Sequence, residues 1–209
     1  MSFFKGKKIL FIGPHVDDIE FGCGGIISKI KDISEIFYIS FSFAEKSLLS
    51  GYRKKDVEEE MRQACKVFGV KNIINKDYEV REFPRNRQEI LEDLIETRKS
   101  VDPDIVFIPS SFDTHQDHVT IHDEGFRAFK SKTIFGYEAP LNNRVFSPQF
   151  YCKLSESDLE AKISALNCYR SQIEKKPALI ELTRSLSVVR GAQVGCTYAE
   201  AFETIRIVI

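Results

Sequence analysis

The sequence lacks an excess of either charge: 30 Lys and Arg stand against 31 Asp and Glu in 209 residues. No overall positive field favours nucleic acid or an anionic membrane, so neither is expected as a partner. Apolar runs of membrane-spanning length, about 20 residues, are missing too. The first eight residues carry Lys5, Lys7 and Lys8 without the apolar stretch of a signal peptide. No membrane insertion is expected, and the cytoplasm is the expected compartment. Cysteine is sparse and scattered, with five residues at 23, 65, 152, 168 and 196 and no C-x-x-C pair. That suits reduced thiols in a reducing compartment better than a disulfide framework or a structural zinc knuckle. Cys65 and Cys168 fall in helical patterns as small core residues, and Cys23 reads as packing at a helix start. Histidine is scarcer still, with four in the chain.

What is present describes a folded domain. A hydrophobic content of 43% with ordinary Gly and Pro counts argues against disorder. The length fits one domain over residues 1–209, with the part from about 150 to 209 as an extension that completes a pocket or an interface. A homo-oligomer is compatible with that extension. Strand-like runs fall at about 7–12, 35–42, 72–75, 104–109, 132–138, 148–153 and 204–209, mostly alternating with helical patterns. Val57, Met61, Ala64, Cys65 and Phe68 share one helical face, as do Ile90, Leu91, Leu94 and Ile95, and later Leu159, Ile163 and Leu166. Ser155 followed by Asp158, and Gly69 after Phe68, are helix start and stop signals. Together these predict an α/β, Rossmann-like three-layer fold: a mainly parallel sheet with helices on both faces. Right-handed crossovers then bring the strand-to-helix turns to one edge of the sheet.

Two of those turns hold all the histidine. Gly13-Pro14-His15-Val16-Asp17-Asp18-Ile19-Glu20 follows the first strand, and Ser110 to His118 follows Asp104-Ile105-Val106-Phe107-Ile108-Pro109. His15 lies in the first; His115, His118 and His122 lie in or just after the second. A folding turn does not need adjacent carboxylates, whose charges repel unless something positive sits between them. Zinc favours imidazole with one or two carboxylates, and a catalytic zinc keeps a position open for water. His15, one of Asp17 or Asp18, and one histidine of the second turn meet that requirement, and the spacing alone does not choose between the aspartates. The other aspartate is then placed to act as base over the bound water. His118 and His122 have the spacing of a zincin helix, but Val119 stands where the general-base glutamate belongs, so His122 reads as a helix-surface or supporting residue. Gly22-Cys23-Gly24-Gly25 lacks the G-x-G-x-x-G pattern and a P-loop lysine, which leaves close helix packing as its plainer use.

The first turn resembles the His-Pro-Asp-Asp-x-Glu motif of the zinc-dependent N-acetylglucosaminyl deacetylases of the PIG-L (LmbE-like) family, with Val16 in place of the usual proline. His115-Gln116-Asp117-His118 is similar to their His-x-Asp-His motif, and Tyr169-Arg170-Ser171-Gln172 and Tyr198 to Phe202 extend the resemblance. It implies His15, Asp18 and His118 as metal ligands and Asp17 as general base. His115 takes the place for oxyanion stabilisation or leaving-group protonation, with Asp117 orienting it. The implied cofactor is Zn2+, with Fe2+ suited to the same ligands. The implied reaction releases acetate from an N-acetylglucosamine-type amino sugar, a sugar nucleotide or another glycoconjugate. Arg53, Glu138 and Arg190 are the candidate substrate contacts. Two other readings remain: a metal-dependent amidase of a different amide conjugate, and a metal-free Rossmann-like ligand-binding module.

Overall fold

The consecutive apolar side chains of Ile9 to Ile12 suit a strand covered on both faces. The computed structural model, which describes residues 1–209, builds β1 there (Lys8–His15). There follow α1 (Asp18–Ile30), β2 (Glu35–Ser42), α2 (Lys54–Phe68), β3 (Asn72–Asn75), α3 (Arg87–Val101), β4 (Ile105–Pro109) and α4 (Gln116–Phe129). The chain continues through β5 (Thr133–Tyr137), β6 (Phe150–Leu154), α5 (Glu156–Leu166), α6 (Arg170–Ile173), α7 (Leu179–Gln193) and β7 (Tyr198–Arg206). The expected boundaries hold where local chemistry fixes them. Gly69 ends α2 in the left-handed region at φ 71. At the start of α5, Ser155 Oγ accepts from the Asp158 N–H at 3.2 Å and Asp158 Oδ2 accepts from the Ser155 N–H at 2.9 Å.

The seven strands form one sheet in the order β3-β2-β1-β4-β5-β7-β6. The first five are parallel, and β7 runs antiparallel between β5 and β6. Side chains alternate across it. Ile9 and Phe11 join the core beneath α1 and α2, while Leu10 and Ile12 join the core beneath α3 and α4. The result is the three-layer α/β fold expected from the pattern.

Two strands differ in extent from their sequence pattern. β1 continues through Gly13 and Pro14 to His15, which pairs with Ser42 of β2, so the first histidine stands on a strand end. β7 begins at Tyr198 instead of 204, because Glu200 points inward and breaks the apolar run by which a buried strand is read. The Glu200 carboxylate is occupied all the same: it accepts from the Gly25 and Ile26 N–H groups and from Lys162 Nζ, each at 2.7 Å. This buried pair ties α1 to α5 and β7. Cys168, expected in the core, lies past the end of α5 and is only half-buried, whereas Cys23, Cys65 and Cys152 are buried; all five thiols are free.

The glycines of α1 serve packing. A Cβ at Gly22 would stand 2.4 Å from the Tyr137 ring, and one at Gly25 would stand 2.4 Å from Leu154 Cδ1. Tyr137 cannot easily retreat, since it is buried and its hydroxyl donates to the Ile12 carbonyl at 3.0 Å. Gly22→Ala should therefore destabilise the protein. Overpacking of roughly 1–3 kcal/mol is only partly offset by the roughly 0.5–1 kcal/mol that alanine gains in a helix. Urea unfolding measures the difference, and unchanged stability would show that the α1–β5 contact yields.

Candidate active site

The sheet order reverses between β1 and β4, since the chain runs outward from β1 to β3 and returns to β4. In open α/β sheets the crevice at such a switch point, beyond the carboxyl ends of the strands, is where ligands bind. Both histidine-bearing turns leave the sheet there. His15, Asp17, Asp18, His115 and His118 all line one cavity of about 250 Å³, together with residues from the loop after β2 and from the segment after α6.

Three donor atoms converge within it. His15 Nδ1 lies 3.1 Å from Asp18 Oδ2, His118 Nε2 lies 3.2 Å from the same oxygen, and the two nitrogens are 3.4 Å apart. Ligands 2.0–2.1 Å from a tetrahedral zinc are separated by about 3.3 Å, so the triangle has the size of one face of such a site. His15, His115 and His118 also form a group whose ligand atoms lie within 4.8 Å of one another. The two sets share His15 and His118 and differ in the third member. The edges to Asp18 are the shorter.

The outer nitrogen of each imidazole is held by a buried carboxylate. Asp113 Oδ2 contacts His118 Nδ1 at 2.8 Å, and Asp117 Oδ2 contacts His15 Nε2 at 3.0 Å. Carboxylate–histidine pairs of this kind fix ring orientation and make the inner nitrogen a better metal donor. Asp113 is itself anchored by the His115 N–H at 2.8 Å, and Asp117 by the Arg81 N–H at 2.7 Å. Arg81 presents that N–H from a left-handed backbone, φ 72, an uncommon conformation for a non-glycine residue. Asp117 thus differs from the role expected of it. Its carboxylate stands 4.0 Å from His115 Nδ1, and it is the Asp117 backbone N–H that donates to that nitrogen, at 3.2 Å. The reason is local: His115 caps α4, which turns its ring onto the first N–H groups of the helix.

These contacts set the protonation states. Burial alone would lower His118, but the charge of Asp18 and hydrogen bonds to Asp113 and Asp18 push it up to about 10. Burial works to raise Asp18 as well, yet His118 and His15 hold it well below the usual carboxylate range. Asp17 is raised, by burial first and then by the charge of Asp18. His115 is lowered by burial and by the charges of His118 and His15. Behind the first turn, the Tyr169 hydroxyl donates to the Val16 carbonyl, with the buried Glu20 carboxyl 3.1 Å away and pushed up to about 8 by burial.

Other sequence candidates lie elsewhere. Arg53 is exposed and pairs with Asp56 at the start of α2. Glu138 and Arg190 pair with each other, and Arg190 sits over the Phe146 ring. None of the three lines the cavity. His122 Nδ1 meets the Pro109 carbonyl at the end of β4 at 2.8 Å, and His122 does not line the cavity. Asp113 and Arg81 were missing from the sequence reading. Asp113 had a signal, as an acid two residues before His115 in the same turn; Arg81 had none.

The fold and the site define an α/β protein that gathers histidine and aspartate donors at a sheet switch point. Residues 10–129 match the PIG-L family model, described as GlcNAc-PI de-N-acetylase, and the chain belongs to that family. It is 29% identical to the uncharacterized deacetylase YaiS of Escherichia coli K12, over 80% of this chain and 92% of that one. It is 25% identical to the diacetylchitobiose deacetylase of Thermococcus kodakarensis, over 93% and 81% of the two chains. The fold also matches that of GalB, the 4-carboxy-2-hydroxymuconate hydratase of Pseudomonas putida KT2440, with a TM-score of 0.81 at 17% identity over 97% and 98% of the chains.

Histidine protonation gives a sign that can be tested. A folded pKa of about 10 against an ordinary 6.5 means that His118 binds its proton more tightly when folded. That stabilisation is complete below about pH 6.5 and is lost as the pH rises to 10. Glu20, raised from 4.5 to about 8, acts in the same direction at lower pH. The metal-free protein should therefore lose stability across this range, and NMR titration should show His118 charged well above pH 7. A His118 resonance titrating near 6.5 would refute the geometry of the Asp18–His118–Asp113 chain.

Proposed function

We propose that this chain is a metal-dependent N-deacetylase that hydrolyses the acetamide of an N-acetylglucosamine-type amino sugar or its conjugate. The observation that carries this reading is the triangle of His15 Nδ1, Asp18 Oδ2 and His118 Nε2, with edges of 3.1 to 3.4 Å. Three donors at the spacing of a tetrahedral zinc face, with the outer nitrogens of both imidazoles held by carboxylates, support this reading over a metal-free binding module. The fold does not choose the reaction, since a hydratase shares it. Relatives that are deacetylases support amide hydrolysis, and one of them acts on diacetylchitobiose.

Zn2+ fits the two imidazoles and one carboxylate, and Fe2+ suits the same donors. A divalent ion held by His15, Asp18 and His118 would supply Lewis acidity, which would acidify the attacking water and polarise the acyl group. Asp17, the remaining carboxylate on the cavity wall, takes the proton of the attacking water as the C–O bond forms. Its raised pKa suits a base that must afterwards give the proton up. His115 accepts the Asp117 N–H at Nδ1, which leaves its single proton on Nε2. In that neutral form it donates a hydrogen bond to the acyl oxygen as negative charge develops. A neutral imidazole is a weak acid, so the departing nitrogen receives the proton that Asp17 holds. The C–N bond breaks, and acetate and a free amine leave.

The five free thiols suit a reducing compartment, and we place the protein in the cytoplasm; no helix is long and apolar enough to cross a membrane. Purified protein with zinc should release acetate from N-acetylglucosamine compounds, and a chelator should abolish the release until metal is restored. Asp17→Ala should lower the rate by roughly 10²–10⁴-fold or more while stoichiometric zinc remains bound. Full activity in Asp17→Ala would remove Asp17 as the base.

A further inference from the structure

The walls of the cavity carry a feature that hydrolysis of an acetamide does not use. Lys175 and Lys176, in the segment after α6, both line it, and neither lies within 4 Å of any carboxylate. Asp17 and Asp18 are the only acids on the wall. Asp18 is already engaged by the His15 N–H at 2.8 Å and by both imidazoles, which leaves Asp17 alone to face two ammonium groups. Glu60, the other acid whose charge reaches Lys175, is occupied as well. It accepts the Ser171 N–H at 3.0 Å and the Ser171 hydroxyl at 2.5 Å. Positive charge on this side of the cavity is therefore in surplus.

The lysines are presented by an anchored segment. Glu60 of α2 holds the start of α6, the Tyr52 hydroxyl donates to Glu174 at 2.6 Å, and Lys175 Nζ lies 3.4 Å from Gln172 Oε1. Lys175 is half-buried, and that burial keeps its pKa below the ordinary lysine value. A third cation stands nearby: the Arg81 guanidinium has no carboxylate partner and donates to Ser47 Oγ at 2.8 Å, and Ser47 is itself a lining residue. The apolar part of the wall is Val16, Ala44 and Val80. It offers no Phe, Tyr or Trp face on which the ring of a neutral sugar could stack.

We propose that the cavity is built for an amino sugar bearing an acidic substituent, a phosphate or a carboxylate, which Lys175 and Lys176 bind, with Arg81 adding to the field. This rests on the deacetylase reading and narrows its substrate class. Such a partner satisfies both ammonium groups, and charge-assisted hydrogen bonds are the stronger ones available to a polar wall.

Three substrates test it: N-acetylglucosamine 1-phosphate, N-acetylmuramic acid with its lactyl carboxylate, and methyl N-acetylglucosaminide as the neutral reference. Acetate release by the zinc-loaded protein should favour at least one acidic substrate by roughly tenfold to hundredfold in kcat/KM. Which of the two is favoured separates phosphate from carboxylate. Lys175→Glu/Lys176→Glu should bring the ratio of acidic to neutral kcat/KM to 1 or below. Lysines that served only to tune Asp17 would change all three rates together and leave the ratio intact. Equal or better hydrolysis of the methyl glycoside, or a preference that survives the double substitution, would overturn the proposal. Calorimetric binding of the same three compounds needs no turnover. A protein that hydrolyses none of them yet binds an acidic one through these lysines would count against the deacetylase reading and for the anion subsite, and one that binds all three alike would overturn the subsite.

Discussion

Two imidazoles held at both nitrogens are the constraint on which the rest of this structure depends. His118 is fixed between Asp113 outside and Asp18 inside, and His15 between Asp117 and Asp18. A histidine with one free nitrogen can rotate about χ2 or change tautomer. One with a carboxylate at each nitrogen does neither without leaving a buried charge unpaired. The same contacts hold His15 Nδ1, His118 Nε2 and Asp18 Oδ2 within 3.4 Å of one another.

The scaffold behind the site carries the corresponding load. β1 and β4 are adjacent and parallel, so their ends present His15 and the Asp113–His118 turn to each other across about one strand spacing. The Tyr169 hydroxyl meets the Val16 carbonyl, which braces the turn that carries Asp17 and Asp18. Glu200 and Lys162 fasten the middle of α1 to β7 and α5. A buried ion pair is weak evidence of net stability, because desolvation offsets most of the attraction. Its geometric effect is plain: α1 cannot slide along the sheet without stranding the carboxylate. Residues 150–209 thereby support the site from behind through Tyr169 and Glu200 and contribute Lys175 and Lys176 to its wall.

Much of this was legible in the chain because it depends on period and composition. The runs at 35–42 and 72–75 became β2 and β3 with those bounds, since apolar residues between turn signals leave the backbone few alternatives. Val57, Met61, Ala64, Cys65 and Phe68 all proved buried. His15, Asp17, Asp18, His115 and His118 were recognisable because ligand chemistry needs those residue types, and the strand ends that bear them are fixed by topology. Arg53, Glu138 and Arg190 were not resolved in this way, because an arginine or glutamate near a turn looks the same whether it meets a ligand, a partner or solvent. The same blindness covered Glu200, whose inward charge hid the first half of β7.

The sequence by itself determined the alternation of strands and helices, the two histidine-bearing turns and the family to which they belong, because each is written in local spacing and residue type. Only the tertiary structure decided which carboxylate stands behind which imidazole. Asp117 supports His15, about a hundred positions away, and not its neighbour His115; Asp113 supports His118; and Glu138 and Arg190 take each other as partners. Each of those outcomes is a choice among several acids within reach along the chain. It is settled by burial and by the direction in which a helix cap or a strand end aims a side chain, and neither exists before the sheet has closed around them.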